Sequence, residues 1–148
     1  MVDEIIFRTD NPRNRLMLEL VARGGMRIGE VLKLKVGDLG DRKLFIKSPK
    51  SGRQSEVVFI PKKVAERLQD YIRTRGIDVK DRIFPMGYTG ARAIVKKSGQ
   101  TVGIDLCPHD LRRHATTYAS RAGAPLEIVS KVILRHPTWL PRNTILAK

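Results

Sequence analysis

The chain has 148 residues, and its 29 Lys and Arg against 15 Asp and Glu give a formal net charge of +14. This length fits one domain that can bury a core without disulfides, and the single cysteine, Cys107, could form none internally. No apolar run is long enough to predict a membrane span, and the acidic opening segment does not resemble a signal peptide. We therefore expect a cytoplasmic protein without membrane contact.

The basic excess predicts a polyanionic partner, of which nucleic acid is the commonest. A solubilising surface is the alternative, but the basic residues lie near glycine turns and predicted helix starts rather than in one tail. Aromatic residues make up only 5% of the chain, which argues against single-strand binding on stacked rings. Double-stranded DNA, bound through its phosphates, fits better. The basic residues in question are Arg23, Arg27, Lys50, Arg53, Arg112 and Arg113.

The predicted elements of the first part of the chain are a lead-in and two helices. Residues 1–10 are predicted to be a short lead-in. Asn11 and Pro12 are typical of a helix start, and Gly24-Gly25 predicts the end of that helix. A shorter helix should follow, with Arg27 at its beginning and apolar positions at Ile28, Val31, Leu32 and Leu34.

A hairpin and four further helices complete the prediction. β-Branched or aromatic runs at Lys43–Lys47 and Glu56–Ile60 flank a turn over Ser48–Arg53, which indicates a small β-hairpin. The helices are expected from Pro61 to Gly76, from about Thr89 to Lys97, from Asp110 to Ala122 and from Leu126 to Leu134. The predicted fold class is therefore α+β and mostly α-helical, in a single domain over residues 1–148.

The histidines favour anion binding over metal binding. His109 and His114 do not share a helical face, and no carboxylate lies at ligand spacing beside them, so we expect no zinc site there or at His136. The sequence also has no Gly-x-x-x-x-Gly-Lys phosphate-binding loop, and we expect no cofactor. His109 and Arg112 instead fall together at a predicted helix start, where free N–H groups and a planar guanidinium can bind a phosphate. A surface arginine beside a helix-cap histidine is the alternative.

Four motifs, taken in order, resemble the catalytic domain of the tyrosine recombinases, or phage integrase family. The resemblance covers roughly residues 12–148 and implies the integrase-like fold of the DNA breaking-rejoining enzymes. It also implies a metal-free reaction in which a tyrosine attacks the scissile DNA phosphate, leaving a 3′-phosphotyrosine and a free 5′-hydroxyl. The motifs are Gly25-Met26-Arg27-Ile28-Gly29-Glu30-Val31-Leu32 before Leu34 and Asp38, Lys50-Ser51-Gly52-Arg53, Pro108–Thr116, and Leu134-Arg135-His136.

The resemblance also implies roles for residues at matching positions. Arg27 and Arg112 would clamp the non-bridging phosphate oxygens and stabilise charge in the transition state. Lys50 would protonate the leaving 5′-oxygen, with Lys47 as the alternative. His109 would take part in proton transfer with the nucleophile, and His136 would be the second, hydrogen-bonding histidine.

The remaining matches are expected to contact DNA or to support the fold. Arg53 and Arg113 would contact DNA. Glu30 would support the surroundings of the first arginine, Asp110 would cap its helix, and Asp38 would be structural. Three of the catalytic candidates keep simpler interpretations: Arg27 as a capping or surface residue, Lys50 as a DNA backbone contact, and His136 as a helix-end histidine.

The nucleophile is where the sequence departs from the family. Its position falls on Ile145, nine residues after His136, and residues 137–148 contain no tyrosine. Tyr71 is expected in the core, Tyr88 at a turn and Tyr118 facing away from Arg112. The N-terminal DNA-clamping domain of full integrases is also not found, so we expect a catalytic domain alone, as a fragment or a degenerate copy.

Three functions therefore stay open. The first is a site-specific recombinase domain for DNA integration or excision, with strand cleavage impaired by the missing tyrosine and possible assembly into the tetramer that the family forms on DNA. The second is a non-catalytic DNA-binding remnant or competitor of an active recombinase. The third, an unrelated basic RNA-binding protein, has no supporting RNA motif.

Overall fold

The computed structural model describes residues 2–47 and 55–121. A 3₁₀ turn at Val36–Asp38, which the sequence did not predict, connects the third helix to the hairpin. Among the described residues, no helix is both long and apolar enough to span a bilayer. The helices are α1 Val2–Arg8, α2 Pro12–Gly24, α3 Ile28–Lys33, α4 Lys62–Arg75, α5 Tyr88–Gln100 and α6 Pro108–Arg121, and the strands are β1 Lys43–Lys47 and β2 Ser55–Phe59.

Helix α1 occupies the segment that was predicted to be a lead-in, so that prediction is wrong. Ile5 and Ile6 are buried in the common core, where α1 packs against α2. The guanidinium of Arg8 also donates a hydrogen bond to the carbonyl of Thr101, just after α5. A helix of seven residues is too short to be stable alone, so these tertiary contacts stabilise it.

Helix α2 is the centre of the fold, and its predicted ends are confirmed. The side chain of Asn11 accepts a hydrogen bond from the Asn14 N–H at 3.2 Å, Pro12 opens the helix, and Gly25 ends it in the left-handed region at φ +71°. Residues 16–22 are all buried. Helices α1, α3, α4 and α6 all pack against α2.

The two predicted strands are confirmed as an antiparallel pair in which Phe45 lies opposite Val57. Leu44, Ile46 and Val58 are buried on the inner face, as the two-residue period of a strand requires. The predicted turn over residues 48–53 lies outside the described residues.

Helix α4 follows Pro61 and ends at Gly76, as predicted. Tyr71 is buried and stacks on Phe84 with ring centroids 6.1 Å apart, which confirms it as a core residue. The carboxylate of Glu19, buried in α2, pairs with the guanidinium of Arg67 and joins α4 to the central helix.

The last two described helices begin earlier than predicted. Helix α5 begins at Tyr88 and runs to Gln100, so the prediction of a turn at Tyr88 is wrong; the preceding Gly87 is the cap residue. Helix α6 begins at Pro108, two residues before the predicted start. The helix predicted over residues 126–134 lies outside the described residues.

Candidate phosphate-binding site

Arg112 connects the beginning of α6 to the end of α2. Its Nε donates a hydrogen bond of 2.8 Å to the carbonyl oxygen of Gly25. Only 8% of the residue is exposed, and a buried guanidinium is tolerated only when it has hydrogen-bonding partners. The contact therefore fixes Arg112 beside a loop that lies 87 residues away in the sequence.

Arg27 lies on that same loop, two residues after Gly25, and caps α3. Its backbone N–H donates to Glu30 Oε1 at 2.9 Å, and its guanidinium pairs with Glu30 Oε2 at 3.2 Å. The carboxylate of Glu30 is 8% exposed and the side chain of Arg27 is 19% exposed. Glu30 thus holds both the backbone and the side chain of Arg27, which is the supporting role expected of it.

The structure therefore brings two of the predicted site residues to one loop. Arg112 contacts Gly25, and the buried Met26 separates Gly25 from Arg27. The guanidinium group of each arginine is of the kind that binds phosphate oxygens.

A second contact joins the same two helices. The guanidinium of Arg23, in the last turn of α2, lies 3.4 Å from His114 Nε2 on α6. Arg23 also pairs with the carboxylate of Asp3 on α1 at 2.5 Å, and this hydrogen bond lowers the pKa of Asp3. Arg23 and His114 thus connect the middle of α6 to the last turn of α2. Sequence reasoning assigned no role to His114, because its partner lies 91 residues away.

His109 and Arg113 are exposed near the beginning of α6. Asp110, between them, lies in the first turn of α6 rather than at the predicted cap position, and its Oδ2 accepts hydrogen bonds from the Cys107 thiol at 3.1 Å and from the Cys107 N–H at 3.3 Å, just before the helix. These hydrogen bonds lower the pKa of Asp110. His109 is therefore presented to solvent by a capped helix start, where its imidazole can reach an external anion.

The remaining predicted residues are either structural or have side chains that are not described. Asp38 is structural, because its Oδ2 accepts the Lys35 N–H at 3.0 Å in the 3₁₀ turn. The side chains of Lys47 and Tyr118 are not described, although their backbones lie in β1 and α6. Four further positions lie outside the described residues and stay predictions: Lys50, Arg53, His136 and Ile145.

The described residues contain no cluster of three or more metal-ligating side chains. Guanidinium groups can bind an anion, and an exposed imidazole can transfer a proton. Comparison with solved structures shows that this fold is similar to that of integrase-like catalytic domains. The λ integrase catalytic core matches 92% of this chain and 94% of its own length, with a TM-score of 0.69 and 16% identity.

Two other solved structures are similar to this fold. The XerA recombinase crystal structure has a TM-score of 0.80 at 18% identity, over 97% of this chain and 56% of that one. XerH recombinase, in a post-cleavage complex with palindromic difH substrate, has a TM-score of 0.72 at 22% identity, over 97% and 45%.

Comparison of the amino-acid sequence with known families and proteins shows the family of this chain. The model of the phage integrase family matches residues 2–136, and the chain belongs to that family. Tyrosine recombinase XerA of Pyrococcus horikoshii is 28% identical over 145 residues, covering 89% of this chain and 50% of that protein. Tyrosine recombinase XerC of Corynebacterium efficiens is 30% identical over 131 residues, covering 82% and 42%. The chain therefore spans about half the length of these curated relatives.

Proposed function

We propose that residues 1–148 form the catalytic domain of a site-specific DNA recombinase that acts in the cytoplasm on double-stranded DNA. The observation that carries the proposal is the hydrogen bond from buried Arg112 to Gly25, which fixes one guanidinium beside the loop of the other. Membership of the phage integrase family and a net charge of +14 support a DNA partner, as does the DNA complex of the similar XerH fold.

In this proposal the arginines Arg27 and Arg112 bind the non-bridging oxygens of one DNA phosphate. The bond of Arg112 to Gly25 and the pairing of Arg27 with Glu30 support this role, because groups that are ordered before DNA arrives can stabilise charge on the phosphate oxygens without reorganisation. His109 exchanges a proton at the nucleophile side of the phosphate, Lys50 protonates the leaving 5′-oxygen, and His136 donates a hydrogen bond to the phosphate. Arg53 and Arg113 contact the flanking DNA backbone.

Strand cleavage is the step for which this chain is expected to be impaired. An isoleucine side chain has no atom that can attack phosphorus, and Ile145 stands at the expected nucleophile position. The second candidate function, a non-catalytic DNA-binding domain or competitor of an active recombinase, is favoured by that residue. Assembly into a homo-oligomer on DNA belongs to the first proposal, since the family acts on DNA as a tetramer.

The DNA affinities of the Arg112→Ala and Arg113→Ala variants distinguish the two candidate functions. These neighbouring residues carry the same charge, but Arg112 is buried and fixed whereas Arg113 is exposed. A phosphate clamp predicts that Arg112→Ala weakens binding to a short DNA duplex by about 10–100-fold, the size expected for a hydrogen bond to a charged group. Arg113→Ala should remove only a salt-screened backbone contact.

Affinity is measured across a salt titration, with circular dichroism to verify folding. Equal, modest losses for both variants would contradict the clamp and support a general DNA-binding surface. A second arm uses nicked duplex DNA and a denaturing gel: the unmodified chain should form no covalent adduct, and Ile145→Tyr should form one if the site is otherwise competent. No adduct from Ile145→Tyr would count against catalysis and for the DNA-binding domain.

A further inference from the structure

Gly25 does more than end α2. Its φ of +71° lies in the left-handed region that glycine adopts without steric strain, and its N–H donates to the Val21 carbonyl at 3.1 Å. The carbonyl of the same residue accepts the hydrogen bond from Arg112 Nε. One backbone conformation therefore both closes the helix and sets the direction of the acceptor for Arg112.

The residues on either side hold this turn in place. A Cβ on Gly24 would lie 3.2 Å from the Ile60 side chain and 3.3 Å from the Val58 side chain, so Gly24 packs closely against the hairpin. Met26 is completely buried. The Gly25 carbonyl is thus anchored on both sides by the core, and it forms a rigid support rather than a mobile loop atom.

We propose that Gly25 is a positioning residue for Arg112, an inference that rests on the proposed phosphate site. A bond at Nε fixes the plane of the guanidinium and so the direction of its terminal nitrogens, which form the two-pronged edge that binds phosphate oxygens. A long side chain loses conformational entropy when it becomes ordered. Because Arg112 is already ordered before DNA arrives, this loss does not weaken DNA binding.

The consequence is measurable in DNA affinity. An alanine at position 25 is strained in the left-handed region, and relaxation of this strain would shift the turn and its carbonyl. Gly25→Ala should lower the affinity for a short DNA duplex by up to about tenfold, the size expected when one long side chain must become ordered on binding. The loss should disappear when Arg112 is already alanine, because Gly25 acts through that side chain.

The matched control is Gly76→Ala. Gly76 ends α4 in the same left-handed conformation at φ +63°, and an added Cβ there meets no atom within 4 Å. This variant carries the same backbone strain without touching Arg112, so its DNA affinity should equal that of the unmodified chain. All variants are compared at a temperature where thermal unfolding shows each one folded.

The outcomes distinguish this inference from the proposed function. A loss for Gly25→Ala that persists in the Arg112→Ala background, or that is no larger than for Gly76→Ala, overturns the positioning role alone. An Arg112→Ala variant with unchanged affinity overturns the phosphate site itself. If Gly25→Ala does not fold, NMR of the unmodified chain decides: a slowly exchanging Arg112 Nε–H supports the bond to Gly25, and rapid exchange with water refutes it.

Discussion

Replacing Glu30 with alanine should destabilise the fold and release Arg27. The carboxylate makes two contacts, to the Arg27 N–H at 2.9 Å and to the Arg27 guanidinium at 3.2 Å, and it is 8% exposed, so solvent screens neither contact strongly. Loss of a helix cap costs about 1 kcal/mol and loss of a hydrogen bond to a charged group about 1.5–3 kcal/mol. Because the two losses overlap in one side chain, we expect a total of about 2–3 kcal/mol.

Urea unfolding at neutral pH measures this loss directly. A decrease of that size corresponds to a Tm lower by about 5–10 °C for a domain of this length. Glu30→Gln keeps an acceptor oxygen for the Arg27 N–H but loses the charge, so it should retain part of the stability. Glu66→Ala is the control: Glu66 is exposed on α4 and makes no ion pair within the described part of the chain, so its variant should stay within about 0.5 kcal/mol.

DNA affinity gives the second readout for the same variants. Without Glu30, the Arg27 side chain must become ordered when DNA binds, which should weaken binding further than Glu66→Ala does. If Glu30→Ala unfolds at the same urea concentration as the control and binds DNA equally well, then Glu30 does not hold Arg27 and the reasoning is refuted.

Two further predictions concern α5 and α6. Gly99→Ala should lower the free energy of unfolding in urea by about 1–3 kcal/mol, because the added Cβ would lie 2.6 Å from the Cβ of Leu106. Gly90→Ala is the control on the same helix: its Cβ would meet no atom within 4 Å, and it should raise the free energy of unfolding by about 0.5–1 kcal/mol. Equal effects of the two substitutions would contradict the packing of Gly99 against Leu106. Hydrogen bonds from Cys107 lower the pKa of Asp110, so the ionised carboxylate stabilises the fold above its unfolded-state pKa of about 3.9, and that stability is lost as pH falls through the lower folded-state pKa. Asp110→Asn should therefore flatten the acid side of the stability profile below about pH 4, and an unchanged profile would contradict the assignment.

The elements that could be predicted from sequence are those with local signals. Asn11 and Pro12 begin α2, and Gly25 and Gly76 end helices in the left-handed region, because capping and glycine geometry act within a few residues. Helix α1 could not be predicted in this way. Its seven residues offer no cap that the sequence makes visible, and it depends on burying Ile5 and other apolar side chains against α2.

In the candidate site, too, local contacts could be predicted from sequence and long-range contacts could not. The pairing of Arg27 with Glu30 follows from three-residue spacing at a helix start, and sequence alone could suggest it. The contact of Arg112 with Gly25 spans 87 residues, and the family resemblance identified the arginine but not the backbone atom that holds it. Long-range contacts of this kind depend on how α2 and α6 pack, which no spacing rule specifies.

The acceptor of Arg112 is a peptide carbonyl, and this changes what mutation can do to it. No side-chain replacement deletes a main-chain oxygen; only a change in the path of the backbone can move it out of reach. Substitutions at position 25 are therefore limited by the backbone torsion angles that the new residue can adopt, not by the chemistry of its side chain. A search for co-varying residue pairs would not detect this contact, although it supports the Arg112 guanidinium.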